Sequence, residues 1–364
     1  MSKYLSEKFK DLEPYVPGEQ PQDKKYVKLN TNESPFKPCP GVIKALSEDA
    51  VSQLYLYSDP TANKLCEAIA EYYTKYVQER GKNFVIEKDN VIASNGSDEI
   101  LAFIFNAYTD KNKGMACPEI GYGFYPVFCE YYGVPFKSIK IRDDFSIDIS
   151  KFKGISENIT IANPNAQTGL YLSIDDIKTL LSENNERIIV IDEAYCDFGG
   201  ESAAVLLNEY ENLIVVSTLS KSRQLAGGRI GFAIASKAII QDLNTIKYSF
   251  NPYNLNRLSI LAGIEAMKDV DYFNKTRKVI MDNREYLKDE LKKLGFTVTD
   301  SKSNFILVST PKMGGKELYL KLKERGVLVR FLSDELLKNW VRITIGSMEQ
   351  INILLKEIKE VLGA

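Results

Sequence analysis

Lys221 closes an apolar run in the segment LIVVSTLSKSRQLAGGRIGF, directly after Ser220, and Arg229 follows between glycine-rich turns. A lysine at a strand's end is usually a solvated charge. Partly desolvated and beside other cations, however, a lysine has a lowered pKa and attacks carbonyl carbons to form imines. Ser220 and Arg229 bring a hydroxyl donor and a planar guanidinium fork, a pair suited to a phosphate. Gly227, Gly228 and Gly231 do not make a dinucleotide-binding fingerprint, because neither their spacing nor their place between strand and helix fits one.

Asp192 follows the apolar run IIVI and so falls at the end of a buried strand. There it either caps a strand–loop junction or pairs with a protonated heteroaromatic nitrogen and keeps that ring an electron sink. Tyr195, three residues on, is placed to reach a neighbouring ring oxygen. In Asn95-Gly-Ser-Asp-Glu99 a strand passes into a helix. Gly96 permits close approach, and the amides of Ser97 and Asp98 form an anion site of the kind found at helix N-termini. Plain helix caps have the same look. Tyr122, in PEIGYGFYPVF, either stacks on a flat cofactor or joins the core with Phe124, Tyr125 and Phe128.

Composition narrows the chemistry further. The 364 residues contain no histidine, which removes Ser-His-Asp and Cys-His catalysis, a histidine general base and histidine-ligated metals. Proton transfer is left to Lys, Tyr, Cys or a carboxylate, aided by a cofactor where the chemistry is hard. The five cysteines are scattered without a C-x-x-C pair, which argues against a disulfide framework and against any metal site. A net charge of −2 gives no sign of a nucleic-acid partner. The N-terminal stretch lacks a signal-peptide core, and no later run is long and apolar enough to span a bilayer, so a cytoplasmic location is expected.

These side chains need elements to hold them. Short β-rich runs (VIASNG, ITIANPN, IIVIDEAY, LIVVSTLSK, IGFAIAS) end in polar or glycine-containing turns, with helical stretches between them at 98–108 and 174–181. Apolar runs of this kind suit an α/β lobe with a mostly parallel sheet covered on both faces. Functional residues then gather at the strand ends, at 95–98, 163–169, 192–195 and 218–221. Before this lobe come a proline-rich extended arm, a segment at 32–41 with too much proline for regular structure, and a helix near 61–79. After about residue 250, a helix carrying Tyr272, Phe273, Val279, Ile280, Tyr286, Leu287 and Leu294 on one face stops at Gly295. The runs NFILV, VLVRF and VRITIG and two more helices complete a smaller α+β lobe, which the arm is expected to join.

In the order GSDE, GYGFY, NPNAQTG, DEAY, TLSKSRQLAGGRIGF and VRITIG, the chain resembles the fold-type-I pyridoxal-phosphate aminotransferases, most of all their histidinol-phosphate branch. The resemblance implies an α/β fold with a seven-stranded, mostly parallel sheet between helices. It divides the chain into an arm with part of the small domain (1–50), a large cofactor-binding domain (51–250) and a small C-terminal domain (251–364). It gives Lys221 the role of the Schiff-base lysine, Asp192 that of partner to the pyridine nitrogen, and Tyr195 that of donor to the phenolic oxygen. Tyr122 becomes the stacking aromatic. Ser220, Arg229, Gly96, Ser97 and Asp98 become the phosphate cup. Tyr57 is similar to the tyrosine that reaches a phosphate in the other subunit of a homodimer, although Ser58 follows it where proline is usual. Tyr15, Asn32, Arg330 and Arg342 match positions that approach substrate.

One motif departs from the pattern. The usual N-P-N-N-P-T-G reads Asn163-Pro-Asn-Ala-Gln-Thr-Gly169 here, so Ala166 stands at the asparagine expected on the phenolic oxygen. Either Asn165 substitutes by a shift, or Tyr195 holds that oxygen alone. The reaction implied is transamination between L-histidinol phosphate and 2-oxoglutarate. An aromatic amino-acid aminotransferase and a threonine-phosphate type of decarboxylase are the rivals, and a noncatalytic regulator is disfavoured by the intact lysine and aspartate.

Overall fold

A computed structural model describes residues 2–363. Strand β1 (Val27–Lys28) belongs to the N-terminal arm. Seven strands follow: β2 (Val91–Ser94), β3 (Met115–Pro118), β4 (Phe136–Ile139), β5 (Asn158–Ala162), β6 (Ile189–Asp192), β7 (Leu213–Thr218) and β8 (Gly231–Ala235). They form one sheet in the order β2-β8-β7-β6-β5-β3-β4. Strands β3 to β7 pair in parallel, whereas β8 is antiparallel to both its neighbours, so it alone runs against the others.

The reason these runs make central strands lies in their side chains. β5, β6 and β7 are rich in β-branched residues, and every position along them is buried. Alternation then sorts neighbours to opposite faces. Leu213 and Val215 of β7 join one apolar cluster, while Ile214 and Val216 join the other. Helix Asn63–Gln78 packs its Leu65, Ile69 and Val77 into the first cluster, and helix Ser97–Tyr108 its Ile100, Leu101 and Phe105 into the second. Helix Ile174–Glu183, started by a capping box between Ser173 and Asp176, also joins the first.

This topology creates a single functional edge. The strands parallel to β7 end on the side where β8 begins: Ser94 and Thr218 both lie opposite Gly231, and Ala162 lies opposite Asp192. The loops after β2, β5, β6 and β7, together with the loop that leads into β8, therefore converge.

The remaining strands are β9 (Thr297–Val298), β10 (Phe305–Ser309), β11 (Val327–Leu328), β12 (Arg330–Phe331) and β13 (Trp340–Thr344). Four of them form a second, antiparallel sheet in the order β12-β13-β10-β9, and β11 pairs in parallel with β1 of the arm. Helices Val270–Lys293, Gly315–Glu324 and Met348–Leu362 pack on this sheet around Ile280, Leu287, Leu318, Ile343 and Leu354.

Two local expectations change. In helix Val270–Lys293 the buried stripe is Phe273, Thr276, Ile280, Asn283, Arg284, Leu287 and Leu291, and Val279 and Tyr286 are exposed. The expected face is broader than the strip the sheet covers, so Phe273, Ile280 and Leu287 are buried while Val279 and Tyr286, at its edge, are not. In the proline-rich segment a short helix starts at Pro40, where a residue without an N–H is tolerated because the first helical turn has no acceptor for it. Gly295, with φ +85°, ends the long helix as expected. Among the described residues, no helix is long and apolar enough to cross a membrane.

Candidate active site

The converging loops enclose a cavity of about 310 Å³, closed on its far side by β12, β13 and the arm. Its walls bring together Tyr15, Asn32, Ser97, Asp98, Tyr122, Asp192, Tyr195, Ser220, Lys221, Arg229, Arg330 and Arg342, residues that span most of the chain.

Asp192 sits on the floor, at the last position of β6, and is 4% exposed. Its Oδ2 accepts a hydrogen bond from Tyr125 Oη at 2.8 Å, and its Oδ1 one from the Ala194 amide at 3.2 Å. Burial dominates and pushes the carboxyl up to about 6, while the Tyr125 bond pulls it back toward ionisation. A buried carboxylate held by two neutral donors is an electrostatic receptor for a cation.

On one side the cavity meets the N-terminus of helix Ser97–Tyr108. Gly96 caps it at φ +79° without a side-chain hydrogen bond, so its first amides face the cavity region. Arg229 comes from the loop before β8, itself in the left-handed region at φ +50°. Its Nη2 lies 3.3 Å from Asp98 Oδ2, and Tyr122 Oη donates to Asp98 Oδ1 at 2.7 Å. Asp98 thus fixes both the arginine and the aromatic ring. Thr218 Oγ1 donates to the Ile230 carbonyl at 2.9 Å and accepts from the Ser220 amide at 3.1 Å, which fixes Ser220 at the cavity wall. Helix amides, a serine hydroxyl and a guanidinium that line one cavity are donors able to hold a phosphate.

Lys221 Nζ lies 5.8 Å from the centre of the Tyr195 ring. Tyr195 Oη accepts from Asn32 Nδ2 at 3.0 Å, and the ring stands edge-on to Phe305 at 5.0 Å. Asn32 is itself held from several directions in a left-handed conformation at φ +57°. Its amide donates to Thr344 Oγ1, its Oδ1 accepts from Thr344 Oγ1, and its carbonyl accepts from Asn304 Nδ2, each at 3.0 Å. Strain at a residue held by so many bonds is characteristic of a working site.

The opposite wall carries two arginines. Arg330 on β12 lies directly across from Arg342 on β13. Like charges at facing positions destabilise a sheet, so a ligand that neutralises them is the natural reason to keep them. Arg342 Nη1 donates to the Ala166 carbonyl at 2.8 Å and to Gln167 Oε1 at 2.9 Å, neither of them a carboxylate, and its buried Nε has no partner. Arg330 donates to the carbonyls of Pro17 and Val16 at 3.3 Å and so draws the arm over the cavity.

Residues 24–358 match the family model for aminotransferases of class I and II. The chain belongs to that family. Over its whole length this aminotransferase is 48% identical to histidinol-phosphate aminotransferase of Brachyspira hyodysenteriae, covering 99% of that protein. It is 44% identical to the protein of the same name from Clostridium botulinum (strain Okra), with the same coverage. Its fold matches histidinol-phosphate aminotransferase from Sinorhizobium meliloti, solved in complex with pyridoxal-5'-phosphate. There the TM-score is 0.88 at 22% identity, over 100% of this chain and 98% of that one.

The aminotransferase's cavity fits pyridoxal phosphate on its own chemistry, since its lining holds a buried carboxylate able to pair with a cationic ring nitrogen, donors suited to a phosphate, and a lysine. Two of the residues singled out in the sequence lie elsewhere. Asn165 spends its side chain tying its own loop to the one after β3, donating to the Ile120 carbonyl at 2.7 Å and accepting from the amides of Gln167 and Thr168. It therefore does not stand in for the amide missing at Ala166, and Asn32 is the amide that reaches Tyr195. Tyr57 is 80% exposed and stacks on Tyr253 at 4.6 Å, away from this chain's own cavity. Two contributors were not singled out, Tyr125 beneath Asp192 and Gln167 against Arg342. Tyr125 was readable only as a core aromatic, although its place one helical turn after Tyr122 in the same strand-end segment was a usable signal.

Proposed function

We propose that this aminotransferase moves an amino group from L-histidinol phosphate to 2-oxoglutarate, yielding imidazole-acetol phosphate and L-glutamate. The observation that carries the substrate choice is the facing pair Arg330 and Arg342, with Arg342 half-buried and paired to neutral oxygens only. One partner in this reaction is a phosphate monoester and the other a dicarboxylate, and a guanidinium fork accepts either anion. The whole-length likeness to histidinol-phosphate aminotransferases supports the same choice.

Pyridoxal phosphate is the cofactor, and when bound it supplies the electron sink that makes a Cα proton removable. The residues of the chain do the rest. The cup of Ser97, Asp98, Ser220 and Arg229 anchors a phosphate, and Tyr122 faces a flat ring. Asp192 holds a ring nitrogen in its protonated form. Tyr195, oriented by Asn32, holds a ring oxygen. Lys221 Nζ would hold the cofactor covalently and, once the substrate's amino group has displaced it, would as a free amine accept the proton from substrate Cα and return it. Arg330 and Arg342 orient the substrate by its anion, which fixes the Cα bond to be broken.

We further place the enzyme in the cytoplasm, where its five free, buried cysteines suit a reducing compartment, and as a homodimer in which Tyr57 serves the neighbouring site. A panel of amino donors, read by cofactor absorbance and by product, tests the reaction. Histidinol phosphate is expected to give the highest kcat/KM. A preference for phenylalanine or tyrosine would reassign the substrate, and carbon dioxide release without a keto acceptor would reassign the reaction.

A further inference from the structure

We infer that Gln167 is a positioning residue that orients Arg342 toward the substrate's anionic group while leaving its charge uncancelled, an inference that rests on the proposed reaction. Gln167 stands where proline is usual in the motif that the sequence otherwise follows. Proline has no side-chain oxygen or N–H, whereas Gln167 uses both kinds of group. Its Oε1 accepts from Arg342 Nη1 at 2.9 Å, and its Nε2 donates to the Gly121 carbonyl at 3.3 Å. One side chain therefore ties the arginine of β13 to the loop that carries Tyr122.

The bonds at Nη1 determine what the rest of the guanidinium does. With the Ala166 carbonyl at 2.8 Å and Gln167 Oε1 at 2.9 Å, both protons of that nitrogen are used. The Phe305 ring packs against the guanidinium, its centre 5.1 Å from the guanidinium carbon. The buried Nε is left without a partner on a group that lines the cavity. The nature of the acceptor matters as much as its position. A carboxylate at 167 would pair with the guanidinium and remove the field that attracts an anion, whereas an amide oxygen holds the fork and leaves the charge intact. Gln167 also stands in the wall shared with an adjoining cavity of about 340 Å³. A test must keep that wall closed, which favours an isosteric replacement over a truncation.

The experiment uses the holoenzyme and two anions that cannot react, succinate and inorganic phosphate, with binding measured by calorimetry. Gln167→Met keeps the volume and removes the acceptor, and is expected to weaken both anions about tenfold. Gln167→Glu keeps the acceptor but adds a charge, and is expected to weaken them at least as much. For turnover, KM for both substrates rises further than kcat falls. Combined with Arg342→Met, the effect of Gln167→Met disappears, because a residue acting through Arg342 has nothing left to orient. The inference is overturned if Gln167→Met binds succinate as tightly as the parent enzyme. It is also overturned if the loss persists undiminished beside Arg342→Met, or if cofactor affinity falls by the same factor as succinate affinity. A parent enzyme that binds succinate with this coupling yet transfers no amino group would overturn the reaction and leave the role of Gln167 standing.

Discussion

Asp192 is placed where a carboxylate is least comfortable, buried under a cavity floor with only Tyr125 and the Ala194 amide to solvate it. Burial raises its pKa to about 6, and the Tyr125 bond opposes that rise. Because the folded value exceeds the ordinary one, this group favours the folded chain most below about pH 4 and loses that contribution as pH rises through about 6. A bound ring cation reverses the situation by giving the carboxylate its missing partner. Pyridoxal phosphate affinity for the apoenzyme should therefore climb with pH through the Asp192 transition. Tyr125→Phe removes the bond that favours the ionised form, so the midpoint of that climb is expected to move to higher pH. The cofactor's own titration is common to both proteins and cancels in the comparison. Equal midpoints for the two would show that Tyr125 is only a core residue.

Among the elements, β8 is the one that makes the cup possible. Running against its neighbours, it starts at the edge where they end, so the loop before it delivers Arg229 beside the helix that follows β2. Two glycines let these backbones meet. A Cβ on Gly231 would lie 2.3 Å from the Ser97 amide nitrogen, a backbone atom that cannot yield, whereas one on Gly96 would lie 2.4 Å from Arg229 Nη2, the tip of a flexible side chain. The two alanine variants should therefore differ in kind. Gly231→Ala is expected to lower the melting temperature severely. Gly96→Ala, at φ +79° and ψ 163° in a region almost exclusive to glycine, should cost about 1–3 kcal/mol of stability and, by displacing Arg229, weaken pyridoxal phosphate about tenfold. Thermal melts and cofactor titrations on both proteins check this, and equal cofactor affinity in Gly96→Ala would remove Arg229 from the cup.

Much of this element-level arrangement was legible in the sequence, because β-branched runs and glycine stops are local signals. The pairings that finish the site were not. Gln167 and Arg342 are 175 positions apart, Tyr125 and Asp192 67 apart, and Asn32 and Thr344 312 apart. Nothing in the local pattern of either partner specifies the other. The exact face of helix Val270–Lys293 escaped for a related reason: its apolar face is broader than the buried strip, and only the sheet beneath decides which part is covered.

At the scale of the whole molecule, several aromatic side chains remain largely exposed. Tyr55, Tyr57 and Phe250 are 79%, 80% and 73% exposed, and Tyr57 is already stacked on Tyr253. An exposed stacked pair such as Tyr57 and Tyr253 suits burial against another copy, and two-fold pairing is the commonest form. If the Tyr57 of one subunit completes the site of the other, its loss and the loss of Lys221 fall on different subunits of the same working site. Tyr57→Ala and Lys221→Ala are each expected to be poorly active or inactive alone. When they are co-expressed, half of the dimers are mixed, and each mixed dimer has one site with both residues present. Activity should then recover to about one quarter of the parent value, because one site in four is intact. Sedimentation of the mixture as a dimer accompanies that recovery. Activity that only averages the two parents, or full activity in a monomer, would place Tyr57 outside the neighbouring site.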